Sequence, residues 1–119
     1  MGFIYVLAFD LGASSGRAMV GIIDEKERKV SIEEVYRFPN FMVKVGDSLY
    51  WDVLRLWHEM KQAIKHAYRK YGGRIASIGV DTWGVDFALL DEHGELVGFP
   101  HTYRDPRTEG IMEEVFKVV

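Results

Sequence analysis

Two segments of the sequence have the residue types that bind metal-bound phosphate, and each directly follows an apolar run. The first loop, residues 10–17, reads Asp-Leu-Gly-Ala-Ser-Ser-Gly-Arg, and the second loop, residues 81–86, reads Asp-Thr-Trp-Gly-Val-Asp. If the two apolar runs are parallel strands of one sheet, their ends lie at the same edge and Asp10 lies close to Asp81. Converging carboxylates beside a small, glycine-rich turn favour a phosphate that carries magnesium.

The first loop has the composition of an anion-binding turn. Gly12 and Gly16 permit close backbone approach and positive φ angles. The residues between them are small, so that consecutive N–H groups can point into the turn as a nest for an anion; these residues are Ala13, Ser14 and Ser15. Arg17 offers a charge-assisted contact, whereas Asp10 would act through a magnesium ion or its water. The same residues also suit an ordinary tight hairpin turn, and the pattern alone leaves both interpretations open.

The second loop favours a sugar. Trp83 stands next to Gly84 on a predicted turn, where an exposed indole is costly unless something stacks on it. The C–H faces of sugar rings are apolar and stack on such indoles, and Asp86 could accept their hydroxyl groups. The alternative is that Trp83 packs into a neighbouring domain. Asp81 is a further candidate for this site.

A third loop covers residues 103–108 and reads Tyr-Arg-Asp-Pro-Arg-Thr. Arg104 makes it a further candidate for a binding segment. The alternative is an internal salt bridge, which contributes under ~1 kcal/mol when it is exposed.

Composition excludes several classes of protein. The chain has 119 residues, a formal net charge of −3 and no cysteine. A dedicated nucleic-acid binder would show a basic stripe, and disulfides or thiolate metal sites need cysteine. The first apolar run is too short to span a membrane. We therefore expect a cytoplasmic protein with neither nucleic acid nor membrane as a partner.

The patterning predicts an α/β fold. Residues 3–9, 17–23 and 30–38 read as an antiparallel meander, in which Glu34 indicates an edge strand or a bulge. In the third strand we place four apolar residues on one face: Val30, Ile32, Tyr36 and Phe38. Residues 46–50 read as a loop, and Asp52 as the N-cap of a long helix that ends at Gly72-Gly73. The predicted buried stripe of this helix consists of Val53, Trp57, Met60, Ile64, Ala67, Tyr68 and Tyr71.

After the helix, residues 74–80 read as a strand parallel to the first, because a helical crossover precedes them. Residues 85–90 and 96–99 read as a hairpin, and Thr108 as the cap of a last helix from Glu109. The apolar stripe of that helix is unfinished at the end of the sequence. We therefore expect an incomplete domain, cut from a larger protein.

Taken together, these segments resemble the FGGY carbohydrate kinases, and within them the rhamnulokinases. The resemblance runs in order through the first loop, Arg37-Phe38, Trp51-Asp52, residues 77–86 and the third loop. The second loop is the stretch that points to the rhamnulokinases rather than to glycerol or xylulose kinases. The family has a ribonuclease-H-like, actin-like ATPase fold, and the chain would be the first part of its N-terminal domain.

The resemblance also implies roles for individual residues. Ala13, Ser14, Ser15, Gly16 and Arg17 match the stretch that contacts the phosphates of ATP, and Asp10 matches the aspartate near Mg²⁺. Gly84 matches a position that contacts the ketose, with Trp83 and Asp86 as neighbours. The implied reaction transfers the γ-phosphoryl group of ATP to the 1-hydroxyl of L-rhamnulose. The family's catalytic base lies later in the chain, so no catalytic residue is expected within these 119 residues, and the remainder of the kinase is an expected partner.

Two other classes stay open at this point. A ribonuclease-H-like nuclease would use Asp10 and Asp81 around two metal ions. A non-catalytic sugar- or nucleotide-binding module, or one half of a split kinase, would carry the same loops without the base.

Overall fold

The computed structural model describes residues 2–119. They form two compact units, one from the residues up to Phe41 with Leu54–Gly84, the other from Met42–Val53 with Val85–Val119. In chain order the elements are β1 (Phe3–Leu11), β2 (Ser15–Asp24), β3 (Lys29–Pro39), β4 (Met42–Val45), β5 (Ser48–Trp51), α1 (Val53–Tyr71), β6 (Ile75–Thr82) and α2 (Ile111–Phe116). Short 3₁₀ turns cover Gly72–Arg74 and Pro106–Thr108.

The first unit is a four-stranded mixed sheet with α1 packed on it. The strand order is β3-β2-β1-β6, with β1 antiparallel to β2 and parallel to β6. The meander, the crossover helix and the parallel fourth strand are therefore confirmed. Alternate residues of β1 face the helix, so Leu7 and Phe9 are buried against Val20 and Ala18 of the neighbouring strand.

The edge strand β3 contains the bulge expected near Glu34. Its register against β2 shifts by one residue between Glu34 and Tyr36, which leaves Val35 as the extra residue. A bulge reverses the side-chain alternation beyond it. Phe38 is therefore buried while Ile32 is largely exposed, so the prediction of one continuous apolar face along β3 was wrong.

The helix α1 begins directly after Asp52 and ends at Tyr71, where Gly72 adopts a left-handed φ of 60°. Its buried residues are Ala63, Ala67 and Tyr71. The predicted stripe was only partly right, because Trp57, Ile64 and Tyr68 are exposed and lie on the neighbouring stripe of the helix. Two small alanines let the helix approach the sheet closely, and the bulkier stripe lies beside this contact.

The second unit begins with a hairpin that sequence reasoning had treated as a loop. β4 and β5 pair antiparallel, with Val45 opposite Ser48 and a two-residue turn at Gly46-Asp47, where Gly46 has a φ of 60°. A glycine with positive φ is typical of such tight turns. The prediction of a loop over residues 46–50 is therefore right for the turn at Gly46-Asp47 and wrong for Ser48–Tyr50, which belong to β5.

The later predictions in this unit were right about turns and wrong about extended strands. Leu90 and Leu96 form an isolated antiparallel bridge around the predicted turn, without regular strands on either side. The last helix starts at Ile111 after Gly110, and Thr108 belongs to a 3₁₀ turn instead of capping that helix. Within residues 2–119, no helix is long and apolar enough to cross a membrane.

Candidate functional site

Asp10 and Asp81 lie side by side at the same edge of the sheet. They are direct partners in the parallel register of β1 and β6, as the sequence predicted. Phe9 and Leu11 point into the core, so the alternation of β1 directs Asp10 away from the helix. The carboxylate of Asp10 is about half exposed, at 51%. Two carboxylates thus meet on the open side of the sheet, where a ligand has access to them.

Arg17 provides the compensating charge for this pair. It lies opposite Asp10 in the β1–β2 register, and its Nη2 atom donates a 2.7 Å hydrogen bond to Oδ2 of Asp10. The Nε atom of Arg17 is buried and has no hydrogen-bond partner within residues 2–119. The guanidinium group therefore has one N–H donor, at Nε, that no group within residues 2–119 accepts.

The turn of the first loop is closed by its own backbone. The amide of Gly12 donates to the carbonyl of Ser15 at 2.9 Å, and a Cβ at position 12 would lie 2.9 Å from that same oxygen. At position 16 a Cβ would lie 2.1 Å from Cζ of Phe38. A side chain at either position would therefore clash with neighbouring atoms of the protein. Neither residue adopts the positive φ angle that glycine permits.

Asn40 holds the first loop from outside, and sequence reasoning missed it. Its side-chain amide donates to the carbonyl of Gly12 at 2.9 Å, and its backbone amide donates to the carbonyl of Ser14 at 3.0 Å. The residue is buried. Its only local signal in the sequence is its place just after the third predicted strand, where an asparagine side chain can bind neighbouring backbone groups.

The second loop starts in the first unit. Trp83 is partly buried there and packs against the hydrophobic core cluster. A Cβ built on Gly84 would meet no atom within 4 Å, so no packing contact requires a glycine at that position. Val85 adopts a φ of 69°, which is unusual for a β-branched residue. Such backbone strain costs of order 1–3 kcal/mol and is concentrated at binding and active sites.

Asp86 belongs to the second unit and is held by Trp51. The indole Nε1 atom of Trp51 donates a 2.6 Å hydrogen bond to Oδ2 of Asp86. Trp51 is 2% exposed, and its ring lies 6.3 Å from that of Tyr103. A buried N–H that donates to a carboxylate fixes the orientation of that carboxylate. Sequence reasoning had singled out Asp86 but not its partner.

A small cavity of about 220 Å³ adjoins Asp86. The residues that line it include Asp86, Phe87, His101, Thr102, Tyr103 and Arg107. Its wall combines a carboxylate, a hydroxyl, a guanidinium group and aromatic rings. This mixture is suited to a small ligand with several hydroxyl groups, because such a ligand needs both acceptors and apolar faces.

Asp105 anchors the third loop inside the second unit. Its carboxylate is buried and accepts from the backbone amides of Leu49 at 2.7 Å and Arg107 at 2.9 Å. The bond from Leu49 is the main cause of a pKa of Asp105 below its ordinary value. Nη1 of Arg107 lies 3.7 Å from the same carboxylate, so the internal ion pair considered in the sequence is present. Arg104 lies over the ring of Tyr103 instead.

The comparison with protein families decides the assignment. The model of the N-terminal domain of the FGGY family of carbohydrate kinases matches residues 5–118. The chain belongs to this FGGY family. The resemblance to this family that the sequence indicated is thereby confirmed.

Individual relatives of this FGGY chain are rhamnulokinases. The rhamnulokinase of Halalkalibacterium halodurans is 45% identical over 95% of the chain, and that of Mannheimia succiniciproducens is 42% identical over 97%. The chain spans only 23% and 24% of the lengths of these two proteins. It therefore corresponds to about a quarter of the curated relatives that it matches.

Solved structures confirm the fold of the FGGY chain. A gluconate kinase from Lactobacillus acidophilus matches with a TM-score of 0.72 at 15% identity, over 98% of this chain and 23% of that protein. A xylulose kinase from Rhodospirillum rubrum matches with a TM-score of 0.73 at 16% identity, over 97% and 24%. The sheet and helix described above thus have the actin-like, ribonuclease-H-like architecture of sugar kinases.

Proposed function

We propose that this chain is the first part of the N-terminal domain of a rhamnulokinase. The complete enzyme transfers the γ-phosphoryl group of ATP to the 1-hydroxyl of L-rhamnulose, as a step in the catabolism of rhamnose. The observation that carries this proposal is the identity of 42–45% to rhamnulokinases over nearly the whole chain. The parent protein is accordingly a cytoplasmic phosphotransferase that acts on an alcohol group.

The phosphate end of the proposed site is the first loop, residues 13–17. Its small residues allow phosphate oxygens to approach the backbone, and Arg17 supplies a positive charge next to them. Phosphoryl transfer depends on positioning and charge neutralisation more than on covalent participation by the protein. The first loop would supply both through backbone amides and one guanidinium group.

Asp10 and Asp81 fit a magnesium ion that arrives with the nucleotide. Mg²⁺ is typically held by one or two carboxylates together with phosphate oxygens and water. Residues 2–119 contain no group of three or more His, Cys, Asp or Glu side chains that could hold a metal by themselves. Phosphate oxygens of the nucleotide and water would be the other ligands of the ion. When bound, the ion would neutralise charge on the phosphates. Arg17 would keep Asp10 oriented at this edge, through the hydrogen bond between them.

The sugar end of the proposed site comes from the second loop. Asp86 would accept a hydroxyl of the ketose, Gly84 would let the sugar approach the backbone, and Trp83 would lie beside it. The cavity next to Asp86, together with the hydrogen bond from Trp51 that orients the carboxylate, supports the role of Asp86. Asp81 and Arg104 are further candidates for contacts with the ligands.

The catalytic base and the adenine pocket would be supplied by the remainder of the kinase. The chain covers about a quarter of the length of its rhamnulokinase relatives, which leaves ample sequence for both. Without domain closure, water stays at the phosphate and no base meets the sugar hydroxyl. We therefore expect the 119-residue chain alone to be inactive.

The test is an assay of the complete protein that carries this chain, with ATP, Mg²⁺ and a panel of ketoses. We expect L-rhamnulose to give the highest kcat/KM, and Asp10→Asn to lower it strongly. A matched control is Asp47→Asn, which removes a carboxylate from the β4–β5 turn. Preference for xylulose over L-rhamnulose would contradict the proposed substrate. Activity of the 119-residue chain alone would contradict the proposed division of the site.

A further inference from the structure

We propose that Asn40 is a positioning residue for the phosphates of the nucleotide, acting through the first loop without touching the ligand itself. The inference rests on the proposed function, in which residues 13–17 contact phosphate. It adds a residue outside that loop, 28 positions away from Gly12 along the chain.

Asn40 engages the first loop at two points. The side-chain amide donates to the carbonyl of Gly12 at 2.9 Å, and the backbone amide donates to the carbonyl of Ser14 at 3.0 Å. A third bond, from the amide of Gly12 to the carbonyl of Ser15, closes the turn itself. Three carbonyl oxygens of the loop are thus held by donors of the protein, and two of those donors belong to Asn40.

This arrangement matters because carbonyl oxygens repel phosphate and amide groups attract it. A peptide unit has its C=O and its N–H on opposite sides, so a carbonyl that is fixed by a donor also fixes the direction of the next amide. The bonds to Gly12 and Ser14 therefore set the directions of the amides of Ala13 and Ser15. Asn40 preorganises these amides, and preorganised donors cost no reorganisation when the charge arrives.

The surroundings of Asn40 keep it in place. The residue is only 8% exposed, and it follows β3, whose last residues pair with the start of β2. Phe38, two residues earlier, is buried and occupies the space next to Gly16. The ring of Phe38 therefore packs next to Gly16, while Asn40 binds the backbone of the same loop.

The sequence provides a built-in spectroscopic control for this proposal. Asn40 is the only asparagine and Gln62 the only glutamine among the 119 residues. In the complete kinase with only this 119-residue segment labelled with ¹⁵N, a ¹H–¹⁵N spectrum therefore contains one side-chain amide pair from each. Upon addition of Mg-ATP we expect the Asn40 pair and the backbone amides of residues 13–16 to shift, while the Gln62 pair on α1 stays in place.

Substitution separates positioning from charge. Asn40→Ala removes the donor without adding charge, whereas Asn40→Asp removes the donor and adds a carboxylate near the phosphates. We expect both to weaken binding of Mg-ATP by about tenfold, the effect typical of one lost hydrogen bond to a fixed group. Gln62→Glu makes the same amide-to-carboxylate change on α1 and should leave the affinity unchanged.

The outcomes distinguish the phosphate role of the first loop from the positioning role of Asn40. If the wild-type loop amides do not respond to Mg-ATP, the phosphate role of the first loop is rejected, and this inference fails with it. If they respond but Asn40→Ala binds as tightly as the wild type, only the positioning role of Asn40 is rejected. If only Asn40→Asp weakened the binding of Mg-ATP, the cause would be charge repulsion, and the positioning role of Asn40 would likewise be rejected. Should neither variant fold, an Asn40 amide pair that does not shift in the wild type overturns the proposal.

Discussion

The indole nitrogen of Trp51 and the carboxylate of Asp86 are joined by a 2.6 Å hydrogen bond, although the residues are 35 positions apart. Trp51 is buried, so the donor of this bond has a fixed position and holds the partly buried carboxylate in one orientation. If Asp86 accepts a sugar hydroxyl, the position of that acceptor depends on an aromatic residue that need not touch the sugar.

This bond leads to a first prediction. Trp51→Phe keeps an aromatic ring and removes the donor, so we expect the KM of the complete kinase for L-rhamnulose to rise by about tenfold with little change for ATP. The matched control is Trp57→Phe, because Trp57 lies exposed on α1. An unchanged KM for L-rhamnulose in a folded Trp51→Phe protein would show that Asp86 does not depend on this bond.

A second prediction concerns Gly16 and stability. A Cβ at this position would lie 2.1 Å from the ring of Phe38, so Gly16→Ala forces the ring to move. We expect a loss of about 1–3 kcal/mol, the usual cost of overpacking, in urea unfolding. A second substitution, Phe38→Leu, should recover part of it. Gly79→Ala serves as the control, since a Cβ there meets no atom within 4 Å and should change stability little.

A third prediction is acid sensitivity that depends on Asp105. Hydrogen bonds from the amides of Leu49 and Arg107 hold the pKa of Asp105 below its ordinary value of 3.8. A carboxyl with a lowered pKa stabilises the folded state above its unfolded pKa, and this contribution is lost as the pH falls through the folded value. The loss should therefore appear below about pH 4.

The measurement is the free energy of unfolding from neutral pH down to about pH 2, for the wild type and Asp105→Asn. The variant should be less stable at neutral pH. Its acid limb, which is the fall in the free energy of unfolding as the solution becomes acidic, should be less steep than that of the wild type. The pKa of Glu33 is also lowered, by Lys70 and Tyr71, so part of the acid limb should remain in the variant. An acid limb identical to that of the wild type would contradict the role of Asp105.

A fourth prediction concerns the alkaline limit. The hydroxyl of Tyr71 donates to Glu33, which together with burial raises the pKa of Tyr71 from 10.0 to about 12. A group with a raised pKa stabilises the fold fully below its unfolded value, and the contribution is lost as the pH rises through the folded value. Stability should therefore fall between pH 10 and about 12.

The substitution that tests this is Tyr71→Phe. It removes the hydroxyl donor, so it should cost about 1 kcal/mol at neutral pH and flatten the alkaline limb of unfolding. Tyr68→Phe is the matched control, because Tyr68 lies exposed on the same helix. A steep alkaline limb that persists in Tyr71→Phe would assign the effect to other groups.

The sequence predicted those parts of the molecule that depend on local pattern and strand direction. The adjacency of Asp10 and Asp81 followed from two apolar runs joined by a helical crossover, and it holds residue for residue in the register. The sequence pattern did not predict the hairpin β4–β5, because each of its strands has only four residues. Strands that short carry too little alternation to stand out from a loop.

The contacts that support the candidate site could not be predicted in the same way. Asn40 reaches Gly12 across 28 positions, and Trp51 reaches Asp86 across 35. Both bonds depend on the tertiary arrangement, and neither changes the local periodicity from which elements are read. The exposed stripe of α1 has a similar cause, since the pattern records which residues are apolar and not how much of the helix the sheet covers.

The ring of Phe38 occupies the space that any side chain at position 16 would need. An engineer who reshapes the first loop for another phosphate donor can change position 16 only together with position 38. The same constraint applies to natural divergence, because a protein in which Gly16 alone is replaced would have its new side chain overpacked against the ring of Phe38. Positions 16 and 38 should therefore co-vary, and their pairing would report sheet packing rather than nucleotide choice.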